Sequence, residues 1–127
     1  MPSTDYTERF AGLPRRTLAG GVTLLEASTG KARRRGLSRL DSIPADHALH
    51  IRTFSVHTFG MRFALDLIWL DRQGTTVRVD RDVTPNRLRA CFGARSVVET
   101  VAGQADAFLS AGVGTAASDE VEGDRGA

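Results

Sequence analysis

The stretch from His57 to Val83, HTFGMRFALDLIWLDRQGTTVRVDRDV, constrains the fold more than any other part of the chain. Met61, Phe63, Leu65, Leu67 and Trp69 alternate along its first half, and a period of two puts them on one face of a strand. Propensity alone would also allow a helix, because leucine, methionine and alanine dominate. The turn decides for a strand. Asp71-Arg72-Gln73-Gly74 fits a type I turn closed by a left-handed glycine, a three-residue hairpin loop with a bulge. The second half, TTVRVDRDV, is β-branched and alternating. Such a loop pairs Asp71 with Thr75, which sets Trp69 opposite Val77 and Leu67 opposite Val79. One buried underside then runs from Met61 to Val79. The opposite side carries Arg62, Asp66, Arg78, Asp80 and Asp82, with Asp66 facing Asp80, as a charged face open to solvent or to a polar ligand.

The rest of the chain is long enough for one modest core. The full chain of 127 residues is 41% hydrophobic and 25% charged, which is ordinary for a globular domain. No apolar run approaches the roughly 20 residues of a membrane span, and the N-terminal MPSTDYTERF lacks the apolar centre of a secretory signal. Cys91 is the single cysteine, which excludes an internal disulfide, fits a reducing cytoplasm and predicts a packed small residue. Charge is unevenly spread. Residues 113–127 hold Asp119, Glu120, Glu122 and Asp124 against Arg125 alone, so they read as an acidic, disordered tail. Residues 1–20 read as an irregular segment pinned by Phe10 and Leu13, and residues 21–112 as the globular domain. Every basic residue but Lys31 is arginine, a bias that empties the pI of 9.3 of meaning for nucleic acid. No nucleic-acid partner is expected.

Within the domain, Val22 to Ala27 reads as a short strand. In STGKARRRGLSRL, Ser28 or Thr29 can cap a helix with Ala32, Gly36, Leu37 and Leu40 as its apolar stripe. Arg33, Arg34, Arg35 and Arg39 then lie on its outer face, solvated or available to an anion, with no interleaved aromatics to stack on bases. His47 to Phe54 reads as a strand. A spacing of three puts His47 and His50 on opposite faces, so no zinc site with His57 is expected. TPNRLRACFGA reads as a loop of about ten residues, of the kind that forms binding rims, with Arg87 and Arg89 projecting. Arg95 to Val101 is a strand in which Val97, Glu99 and Val101 share a side. A carboxylate between two valines needs a partner, for which Arg62 and Arg87 are the candidates, or else a ligand. Gly103 opens a short helix with Ala105, Phe108 and Leu109 on one stripe, stopped at Gly112.

Taken together, SVHTFGMRFALDLIWLDRQGTTVRV, TPNR and ARSVVETVAG, preceded by KARRRGLSRLDSIPADHALHI, resemble domain-of-unknown-function family 192 over residues 22–112. The resemblance implies a compact β-sandwich or jelly-roll-like domain with short helices. That agrees with the mainly β reading, a central long hairpin and one or two short helices. The family has no established activity, some members are exported, and a carbohydrate or small-ligand role has been suggested for it. By position the resemblance carries over His57, Thr58, Met61, Asp66, Gly74, Pro85, Glu99 and Gly103. It departs at Ala64, where the family usually has proline, and at the family's C-terminal Gly-Asp strand, which is eroded here.

Three functions fit these residues. The first is a non-enzymatic binding or accessory domain for a sugar-like or anionic small molecule, with His57, Thr58, Arg62, Asp66, Arg87 and Glu99 lining the site. The second is a hydrolase-type enzyme with His57 as general base, oriented by Asp66 or Glu99. No nucleophile elbow, P-loop or metal-binding helix supports it, so no catalytic residue and no cofactor is assigned. The third is a protein-interaction module that uses the arginine-rich helix or a sheet edge.

Overall fold

The computed structural model describes residues 6–115. The expected tail therefore lies outside the described residues from position 116 onward. The elements in chain order are α1 (Tyr6–Arg9), β1 (Arg15–Thr17), a 3-10 turn (Ala19–Gly21), β2 (Thr23–Glu26), α2 (Gly30–Arg35), β3 (His47–Ile51), β4 (Ser55–His57), β5 (Leu65–Leu70), β6 (Thr76–Val83), β7 (Leu88–Ala90), β8 (Ser96–Val101) and α3 (Ala105–Ser110). The mainly β expectation holds. A six-stranded sheet runs β1-β2-β3-β8-β5-β6, and β4 and β7 form a separate antiparallel pair. Within the large sheet only β2 and β3 run parallel.

Two apolar layers flank the sheet. Leu25, Leu49, Ile51, Leu65, Leu67, Trp69 and Val97 point to one face, where Phe10, Leu37, Leu40, Met61 and Cys91 cover them and Val56 brings the β4–β7 pair against the layer. Leu24, Ala48, Ile68, Leu70 and Val98 point to the other, where Ala105 and Phe108 of α3 lie with Val113. The N-terminal segment is less irregular than its composition predicts, because β1 pairs with β2 to form one edge of the sheet.

The hairpin forms as its turn predicts. Asp71 N–H donates to the Thr75 carbonyl at 2.9 Å, Gly74 N–H donates to the Asp71 carbonyl at 3.0 Å, and Gly74 sits at φ 82°. Its register and exposure differ from expectation. Leu70 pairs with Thr76 but Trp69 pairs with Arg78, so Val77 is a bulged extra residue and the partners of Trp69, Ile68 and Leu67 shift by one. Val79 therefore lies opposite Ile68 and packs on the α3 face, while Asp80 lies opposite Leu67 and Asp66 never faces it. Trp69 Nε1 donates to Asp80 Oδ2 at 3.0 Å, and the Arg78 guanidinium stacks 5.8 Å from the indole while clamping the same carboxylate. Burial works against ionisation of Asp80, but the bonds from Arg78 and Trp69 outweigh it and hold its carboxyl below the usual range.

A second shift, between Leu65 and Leu67, leaves Asp82 in the left-handed region at φ 55°. Nor is the second side of β5 an open charged face. This strand sits between β8 and β6 and is buried along its whole length, because α3 covers Asp66, Ile68 and Leu70. The sequence carries the signal, since Ile68 and Leu70 are apolar on the side expected to be polar.

Candidate functional site

Glu99 occupies the middle of β8, between Leu49 of β3 and Leu67 of β5, on the face that holds the main core. It is 5% exposed. No described group donates a hydrogen bond to its carboxyl, and burial alone pushes it up to about 7. Neither expected partner reaches it. Arg62 pairs with Asp41 at 2.6 Å on the surface, and Arg87 is exposed on the loop before β7. The expectation of a structural ion pair at Glu99 is therefore corrected: the flanking leucines and the chain above it shield it from both arginines.

What lies above Glu99 is Gly36. Thr29 Oγ1 accepts from Ala32 N–H at 3.0 Å and starts α2, which stops six residues later where Gly36 takes φ 51° and ψ −130°. That left-handed stop is sterically open to glycine. A Cβ on Gly36 would stand 3.2 Å from Glu99 Oε1 and 3.7 Å from Ile51 Cδ1, so the missing side chain is what leaves room over the carboxyl. Arg9 fixes the corner from outside by donating to the carbonyls of Gly36, at 3.0 Å, and Ser38.

Glu99 thereby forms the floor of a cavity of about 190 Å³, walled by Gly36, Ile51 and Met61 and rimmed by His57, Ser38 and Ser55 with Arg33, Arg34, Arg35 and Arg52. At roughly 30 Å³ per water the volume equals about six water molecules. None of these four arginines has a carboxylate partner among the described residues. A carboxyl near 7 donates as readily as it accepts at neutral pH, so the floor matches a hydroxyl or amide, and the rim matches an anionic group.

Of the six residues the sequence singles out, the structure brings only His57 and Glu99 together at this cavity. His57 ends β4 and stacks on Phe59 at 5.3 Å between ring centres. Thr58 is buried and ties the next loop: its hydroxyl donates to the Thr84 carbonyl and accepts from Arg87 N–H, each at 2.8 Å. Asp66 lies on the opposite face of the sheet. There Oδ1 accepts from Asp82 N–H at 2.9 Å, and Oδ2 accepts from Gly103 N–H and Ala105 N–H at 3.0 Å each. It holds the bulge and the entry to α3, and it lines no wall of the Glu99 cavity. Arg62 and Arg87 also stand outside the cavity. His47 bonds Asp46 and Tyr6, and His50 bonds Glu26 and Ser96, so no two of the three histidines converge. Sequence reasoning does not mark Gly36 and Arg52 as site residues, and the outer face expected for the arginine run includes the cavity rim. The available signal is a glycine at the end of a helix capped by Thr29, which also fits an apolar stripe with Ala32, Leu37 and Leu40.

The sequence profile of the DUF192 family, described as an uncharacterized ACR, matches residues 15–121. The chain belongs to the DUF192 family. No curated protein matches it. Two crystal structures share the fold. One is a candidate transcription regulator of Sinorhizobium meliloti, with a TM-score of 0.63 and 19% identity over 79% of this chain and 86% of the other. The second is a protein of unknown function from Novosphingobium aromaticivorans, with a TM-score of 0.61 and 14% identity over 89% of this chain and 96% of the other. At these identities the likeness is one of fold. Among the described residues no helix is long and apolar enough to cross a membrane.

Proposed function

We propose that this DUF192 domain is a non-enzymatic binding or accessory domain for a small polar molecule, sugar-like or anionic, taken up over Glu99. One observation carries the reading: a buried carboxyl with no described hydrogen-bond donor that lines a cavity. Leaving such a group unpaired costs about 1–3 kcal/mol. A ligand hydroxyl would remove that cost, while Arg33, Arg34 and Arg52 would receive an anionic substituent at the mouth. His57 at the same rim supports a hydrolase-type reading less well, since it depends on a base and an acid with no assigned nucleophile.

A thermal-shift screen against monosaccharides, hydroxy acids and nucleotides tests the proposal. The expected result is a ligand whose stabilisation disappears in Glu99→Gln and survives in Arg62→Ala, because Arg62 stands outside the cavity. Silence across the screen, or a ligand indifferent to Glu99→Gln, would remove the basis for it.

A further inference from the structure

The opposite face of the sheet holds a second, larger cavity of about 570 Å³, within the usual range for ligand pockets. Four arginines from separate segments meet around it: Arg16 of β1, Arg72 of the hairpin loop, Arg95 before β8 and Arg52 after β3, which also reaches the rim of the Glu99 cavity. They are not neighbours in sequence, so it is the pairing of β1, β3, β5 and β8 in one sheet that gathers them. None forms an ion pair with a described carboxylate. Among the described residues Asp71 is the one acid on the wall, and its Oδ1 already accepts from Gln73 N–H and Thr75 N–H at 2.9 Å each. His50 lies beside them with its ring committed to Glu26 and Ser96. Besides Ser96 and small residues, the wall has an apolar part: Leu18, Leu24, Leu70, Val98 and Val113, all in or against the α3 core.

We propose that this cavity is a separate binding site for a small organic anion with an apolar body, such as an acyl or aryl carboxylate or phosphate. Among the described residues four guanidinium groups face one carboxylate here, an excess of like charge that is unfavourable even when solvent screens it and that an oxyanion would offset. Guanidinium groups present paired N–H donors that match carboxylate and phosphate oxygens. The leucines and valines behind them match a hydrocarbon or aromatic body. The inference does not rest on Glu99, which faces the other way.

Anilinonaphthalene sulfonate, itself an apolar anion that fluoresces when shielded from water, is the probe. The folded full-length chain should bind it saturably at one site, and octanoate and octyl phosphate should displace it. Octanol and inorganic phosphate, each lacking one half of the required chemistry, should not. Arg16→Gln/Arg72→Gln should weaken binding about tenfold or more, with the melting transition retained because both side chains are exposed. Arg72→Gln alone, in the hairpin loop, serves if the double variant folds poorly. Arg62→Ala, which lines neither cavity, should leave the probe's affinity unchanged. The proposal is overturned if binding is not saturable, if octanol competes as well as octanoate, if bare phosphate suffices, or if the arginine variants bind as tightly as the parent chain.

Discussion

Replacing Glu99 with glutamine should stabilise the protein, by an amount that depends on pH. The carboxyl titrates near 7 in the folded chain and near 4.5 when exposed, so the native state binds the proton more tightly. Where the folded state holds more protons, stability falls as pH rises. The fall begins near 4.5, continues to about 7 and then levels off. Each pKa unit corresponds to about 1.4 kcal/mol, so the full penalty is about 3 kcal/mol at pH 8 and below about 1 kcal/mol at pH 5. Glutamine is close in shape and cannot ionise. It leaves an amide unpaired where the protonated acid left a hydroxyl, so the two chains should be similar at pH 5. At pH 8 the variant should unfold in urea with a midpoint higher by on the order of 1–2 M, given typical urea slopes for small proteins. Every other ionisable group is common to both chains, so comparing them at each pH isolates the Glu99 contribution. Equal midpoints at pH 8, or a difference that does not change between pH 5 and 8, would refute the claim that burial without a partner sets the Glu99 proton affinity.

Asp66→Ala should cost about 3–5 kcal/mol in urea unfolding, because it strands the backbone N–H groups of Asp82, Gly103 and Ala105 that the carboxylate now satisfies. A loss below about 1 kcal/mol would mean that water or another acceptor replaces it. Gly36→Ala should destabilise the fold by about 1 kcal/mol or more, through its positive φ and the 3.2 Å approach to Glu99 Oε1. It should also weaken any ligand that needs Glu99. Retained affinity in a folded Gly36→Ala chain, measured by calorimetry, would place the ligand elsewhere.

Several features were settled by the order of residues alone. The hairpin turn at Asp71–Gly74 forms because aspartate and glycine meet its dihedral and hydrogen-bond demands locally. The Thr29 cap, the strand that places Val97 and Glu99 on one side, and the short helix after Gly103 are local in the same sense. Family membership follows from these motifs in sequence. What the tertiary structure decided is which groups come to lie opposite one another. Alternation assigns the two sides of β5 but does not say what covers each, and α3, which follows three strands later, turns Asp66 from a surface charge into an internal anchor. The bulges at Val77 and Asp82 answer to the partners of the edge strand β6, so the loop length could not supply the register beyond the first pairs. Glu99 is the sharpest case. The sequence shows that a carboxyl points inward among valines, but its isolation depends on long-range pairing, which sets leucines on either side of it and brings Gly36 over its oxygen.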